Sequence, residues 1–271
     1  MKTDEFGRGA RRAARSEGFE RGARFGHVVS GVLHLLIGML AIAVAFGSTE
    51  NIDQSGALAT LAERPGGRIA LWVLAVGFVA MALWRVVEAL WGGQSAHARS
   101  NSPLDRVKAL GIAAVYIGLS YSTIGFAVGA GRSSGEQNSA LSARLMQSLP
   151  GKALLIVAAV VLLSVGAYHV YKGVTRGFLD DLRAYERTGA RRWIEPLAVV
   201  GYVAKGLTIV GVGALVVIAT VRSNPEQATG LDGALKTLGA QPFGAILLIC
   251  AGTGVALYGL YCFVMARYAK M

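Results

Sequence analysis

The 271 residues are 54% hydrophobic and only 16% charged, and a mean hydropathy of +0.49 excludes a water-soluble globule and points to an integral membrane protein. The 27 Lys and Arg against 16 Asp and Glu give a net charge of +11. These basic residues gather at the ends of apolar stretches, which argues for a membrane surface and against nucleic acid as the partner.

The chain opens with a basic segment, Met1 to Phe25, that carries Lys2, Arg8, Arg11, Arg12, Arg15, Arg21 and Arg24. It lacks an apolar core with a small-residue cleavage site, so residues 1–25 read as a retained cytoplasmic arm. Six stretches then supply the roughly 20 apolar residues that cross about 30 Å of hydrocarbon as helix. They are Val28 to Phe46, Ile69 to Trp91, Ala109 to Ala130, Ala153 to Val174, Leu197 to Thr220 and Phe243 to Ala266. Cys250 and Cys262 lie twelve residues apart within the sixth, about 18 Å along a helix, too far to bridge.

With both termini on one side, that side carries seven Lys and Arg in the arm, two in Gly92 to Val107, five between Thr175 and Pro196 and two at the end, sixteen in all. The other side carries six: Arg64, Arg68, Arg132, Arg144, Arg222 and Lys236. This asymmetry predicts cytoplasmic termini and a basic face on the anionic inner leaflet.

Glycines repeat along the odd-numbered spans. Gly26, Gly31 and Gly38 in the first share their offsets with Gly201, Gly206 and Gly213 in the fifth, and the third has Gly111, Gly118 and Gly125. After each odd span comes an outer segment with Leu at helical spacing and then Pro: Leu58 and Leu61 before Pro65, Leu141, Leu145 and Leu149 before Pro150, Leu235 and Leu238 before Pro242. These segments are expected to be short amphipathic helices in the outer interface. Three two-helix copies (26–92, 107–178 and 195–271) thus fill the chain after the arm. The expected fold is all-α, an integral membrane six-helix bundle of three parallel repeats with pseudo-threefold symmetry. Gly118, Gly125 and Gly129, or Gly166, Gly173 and Gly177, are expected to form helix-packing seams, the alternative being backbone that faces a ligand.

The repeated segments GALATLAERPGG and GALKTLGAQPFG, with YHVYKGVTRGF in the middle copy and ARYAKM at the end, resemble a bacterial membrane-protein family, common in actinobacteria, catalogued as a domain of unknown function and made of three tandem two-helix units. The resemblance covers Gly26 to Met271 and implies architecture and a bacterial plasma membrane location, with no functional residue to carry over. Three two-helix repeats are also similar to mitochondrial carriers in architecture, but the Pro-x-Asp/Glu-x-x-Lys/Arg signature of those carriers is absent here.

Ionisable groups inside a membrane are costly and are functional suspects by default. Here they are His34, Arg85, Glu88, His169, Lys172 and Lys205, all in the cytoplasmic half of their spans. Arg85 and Glu88 are three apart, on one helix face, and so can pair. If these faces turn to the pseudo-axis, the residues form one polar layer with Tyr116 and Tyr121, suited to an anionic head group, a metabolite or a proton passed through His34 or His169. The competing account is that long basic side chains snorkel to the surface and an Arg85–Glu88 pair locks helices.

Gly131-Arg132-Ser133-Ser134-Gly135 has the letters of a nucleophile elbow but follows a transmembrane helix instead of a strand. No CxxC, HExxH or Gly-Lys-Ser/Thr loop occurs. The expectation is therefore a non-enzymatic protein with no catalytic set, cofactor or metal. It would act as an envelope interaction or scaffold protein whose partners are anionic inner-leaflet lipids, other membrane proteins or further copies of itself, and not nucleic acid. The alternative is a small transporter or channel with a cytoplasm-facing polar cavity.

Overall fold

The computed structural model describes residues 17–91, 103–182 and 191–269. They form α1 (Glu17–Ala45), α2 (Gln54–Ala62), α3 (Gly67–Trp91), α4 (Pro103–Ala127), α5 (Ser134–Met146), α6 (Leu149–Val174), α7 (Arg191–Val221), α8 (Leu231–Gly239) and α9 (Gly244–Tyr268). Two short 3-10 turns, Gly177–Asp181 and Pro225–Gln227, complete the described secondary structure. Helices α1, α3, α4, α6, α7 and α9 are long and apolar enough to cross a membrane. The protein is a multi-pass membrane protein of the all-α class, and along the chain its order is three times long helix, short helix, long helix. Much of the basic arm and of the loop after α3 lies outside the described residues.

The Pro of each copy marks a junction where the short helix hands over to the next span. A Cβ on Gly67 would lie 1.7 Å from the Leu61 carbonyl oxygen, on Gly151 2.0 Å from that of Leu145, and on Gly244 1.7 Å from that of Gly239. Only glycine fits where the last turn of one helix presses on the first turn of another, so the Pro and Gly of the repeat are a packing requirement. In the middle copy Ser148 caps α6, its hydroxyl accepting the Gly151 N–H at 3.1 Å.

The described residues divide into two compact units, 17–27 with 58–91 and 103–131, and 28–57 with 132–182 and 191–269. In the first, α3 and α4 pack along each other. Each carries a row of small buried residues seven apart, Ala75, Ala82 and Ala89 on α3 and Ala113, Ser120 and Ala127 on α4, flanked by buried Leu71, Phe78, Ala109 and Thr123. The expected seam through Gly118, Gly125 and Gly129 is not what packs. A Cβ on Gly118 or Gly129 would meet nothing within 4 Å, and one on Gly125 would touch only its own loop at Ala130 and Gly131.

In the second unit the seams are glycine. Gly31 meets Gly259 and Gly38 meets Gly252 between α1 and α9, and Gly166 meets Gly206 between α6 and α7, with a Cβ on any of these falling within 3 Å of a backbone atom opposite. Gly173 packs on Tyr202, while Gly177 touches only its own neighbours. Backbones this close gain the dispersion contacts that hold helices together where lipid is as apolar as the side chains.

Of the short helices, α5 and α8 have one buried face, with Ser142 and Met146 inside on α5 and Asp232 and Leu235 on α8. Helix α2 departs from the expected interfacial segment, since Ser55, Gly56, Ala57 and Leu58 are buried in succession. The cause is polar tethering between copies within the second unit. Asp232 on α8 accepts the Ile52 N–H at 2.7 Å and pairs with Lys236 at 2.9 Å, and the Ser134 N–H at the start of α5 donates to Ser55 Oγ at 3.0 Å. Asp53 caps α2, accepting from Ser55 Oγ and from the Gly56 N–H.

Candidate functional site

The second unit gathers four of the expected polar residues around three tyrosines. His34 comes from α1, His169 and Lys172 from α6, Lys205 from α7, and Tyr258 and Tyr261 from α9, with Tyr202 one turn before Lys205. The half-buried Lys205 rests on Tyr258, its ammonium 4.0 Å from the ring centroid. The His34 ring stands 4.9 Å from the same tyrosine, and His169 lies 5.9 Å from Tyr202, which meets Tyr258 edge-on at 5.3 Å. Among the described residues no carboxylate pairs with Lys205.

Both histidines are held alike. Nδ1 of His34 is 2.7 Å from the Ser30 carbonyl and Nδ1 of His169 is 2.8 Å from the Val165 carbonyl. A carbonyl only accepts, so Nδ1 carries the proton in each ring and Nε2 is left to take another or to meet a ligand. Cys262, buried on α9, has its Sγ 3.7 Å from Ser30 Oγ.

On the side where α7 begins and α6 and α9 end, hereafter the basic side, a floor closes this cluster. Phe178, in the 3-10 turn after α6, is fully buried, stacked on Tyr202 at 5.5 Å and edge-on to Tyr261 at 5.6 Å. Three ties hold the turn: Lys172 to Asp181, Arg176 to Glu195 at 2.7 Å, and a backbone bridge from Leu182 to Ala269. Arg176 adopts φ +59 to redirect the chain, a conformation that non-glycine residues hold only when the surroundings fix it. Lys172 is therefore a strap for the floor instead of a side chain reaching for head groups. Phe178 carries no signal in sequence, where it is one apolar residue in a basic loop.

The remaining expected residues lie on the first unit. Arg85 on α3 is half-buried, Tyr116 on α4 packs 6.2 Å from Phe78, and Tyr121 is exposed. The side chain of Glu88 lies outside the described residues, and with it the expected Arg85–Glu88 pair. Among the described residues no three His, Cys, Asp or Glu side chains come together as metal ligands.

Comparison with known proteins agrees with the repeat. A family model described as Domain of Unknown Function (DUF1206) matches three times in tandem, at residues 25–92, 107–176 and 200–269. The chain belongs to this family. Its similarity extends to a curated relative, the uncharacterized protein YxxB of Bacillus subtilis (strain 168), which is 26% identical over 254 residues covering 93% of this chain and 92% of the relative. No solved structure matches. In this DUF1206 chain the copies are unequal, since the cationic and aromatic cluster draws its side chains from α1, α6, α7 and α9.

Proposed function

We propose that the protein is a non-enzymatic membrane protein of the transporter type that takes up an anion at Lys205. The observation that carries this reading is a lysine near the middle of a membrane-spanning helix, half-buried, resting on Tyr258 and with no carboxylate partner among the described residues. A charge at that depth costs about 2.5–3.5 kcal/mol on insertion scales, and a cation–π contact returns about 0.5–2 kcal/mol. The remainder is what a bound anion supplies. The ammonium offers three donors, and His34 and His169, on two other helices, keep Nε2 free of the carbonyls that hold Nδ1, so proton uptake by either ring would strengthen the hold on the anion and its release would weaken it. The sixteen to six asymmetry of Lys and Arg supports cytoplasmic termini, so that the anion would come from the inner side of a bacterial plasma membrane.

The test uses the whole protein in phosphatidylcholine nanodiscs, titrated separately with inorganic phosphate and with acetate. The expected result is that at least one anion raises the unfolding temperature of the wild type by several degrees and leaves Lys205→Met unmoved. If neither anion shifts the wild type, or both proteins shift alike, the reading fails. A protease-accessible tag at either terminus on the outside of intact cells would overturn the orientation.

The envelope-scaffold reading is favoured by a different observation, the open space around Gly111 and Gly118 on α4. The seams of the second unit are spent on internal packing, so association with another membrane protein or a second copy would fall to this face. Its test is whether Gly118→Leu abolishes co-purification of a differently tagged second copy.

A further inference from the structure

We propose that the second unit binds one anionic phospholipid from the leaflet at the basic side, its head on Arg192 and one acyl chain in the groove between α7, α8 and α9. The groove has a volume of about 580 Å3 and is lined by Val199, Val203, Leu207, Leu238, Leu247 and Cys250 among others. Its one hydroxyl, on Thr208, is spent on the Ala204 carbonyl at 2.7 Å. Its walls on α7 and α9 belong to membrane-spanning helices.

From Val199 to Gly211 the groove follows α7 for about 18 Å at 1.5 Å per residue, and its lining is apolar along that length, which suits one extended acyl chain. Helix α8 adds Ala234, Leu235 and Leu238 to the lining, and the end beyond Val199, toward the start of α7, is the basic side.

That end is where a head group is read. Arg192, Pro196, Val199 and Val203 follow one another at spacings of four, three and four, and Trp193, Val200, Ala204, Leu207 and Gly211 make the neighbouring row, so Arg192 and Trp193 stand on the groove's own face of α7. Both are exposed, with the guanidinium 5.8 Å from the Trp193 ring, and no described carboxylate pairs with Arg192. An exposed Trp beside an Arg that no described carboxylate pairs, on the groove's own face of α7, is complementary to a phosphate head with a chain behind it. The groove's lining includes none of Lys205, His34 and His169.

Native mass spectrometry of the full chain released from vesicles of nine parts phosphatidylcholine to one of phosphatidylglycerol tests it. The expected result is one retained phosphatidylglycerol per chain, with occupancy falling about fivefold in Arg192→Gln, the factor one basic group at a membrane surface supplies. Leu207→Trp, which fills the groove from an exposed position, is expected to lose the lipid, and Arg222→Gln, at the far end of α7, to keep it. Retention without preference for phosphatidylglycerol, or retention that survives Arg192→Gln, overturns the head site. Survival in Leu207→Trp overturns the groove as the seat of the chain.

Discussion

Gly166 and Gly206 face each other so closely that a Cβ on either would lie 2.7 Å from the carbonyl oxygen of the other. The contact is reciprocal and made of backbone on both sides, so neither helix can give way by turning a side chain. Gly206→Ala is expected to destabilise the protein by about 1–3 kcal/mol, the usual cost of overpacking. Gly118→Ala, in a helix of the first unit where the new methyl meets nothing within 4 Å, is expected to be neutral or to gain up to about 1 kcal/mol from helix propensity. Unfolding in detergent of the two variants side by side checks the contrast.

Phe178 closes the basic-side end of the Lys205 cluster with a fully buried ring. Phe178→Ala is expected to cost about 3–5 kcal/mol, as for other buried aromatics. Phe178→Leu, which still fills most of the volume, should cost markedly less. Thermal unfolding followed by tyrosine fluorescence reads both the loss and the loosening around Tyr202 and Tyr261.

Asp232 holds the Ile52 N–H and Lys236 together. Asp232→Ala leaves a buried N–H without its acceptor and is expected to cost about 1–3 kcal/mol. Asp232→Asn keeps an oxygen for the amide and should lose less. Hydrogen exchange at Ile52 is the direct measurement, with faster exchange in the alanine variant.

Lys205→Met removes an intramembrane charge together with its cation–π contact. In the absence of added anions the variant is expected to be more stable than wild type, on the order of 1–2 kcal/mol, since the insertion cost exceeds the ring contact. Chemical unfolding in anion-poor buffer checks the sign. A loss of stability would show that Lys205 is there to hold the fold.

The six spans and the three copies were legible because hydrocarbon imposes one requirement on every stretch that crosses it, and Pro65, Pro150 and Pro242 mark the same handover in each copy. His34, His169 and Lys205 were legible as suspects because ionisable residues are rare in such stretches. Their surroundings were not. Lys172 meets Asp181 only because Arg176 turns the chain back beneath α6, and that turn has no sequence mark. Gly118 has the same heptad spacing as Gly31 to Gly38 and Gly206 to Gly213, yet in α4 the buried row is Ala113, Ser120 and Ala127. Spacing reveals that a glycine face exists, and the partner helix decides whether it is used.

In the second unit directional contacts join one part of the chain to another at both ends: Ile52 to Asp232 and Ser134 to Ser55 at the rim of the short helices, Cys262 to Ser30 and the Leu182–Ala269 bridge at the other. Directional bonds resist sliding where aromatic faces alone would shear, so the stacked rings around Phe178 sit between two stitched ends and the unit is built to hold its shape.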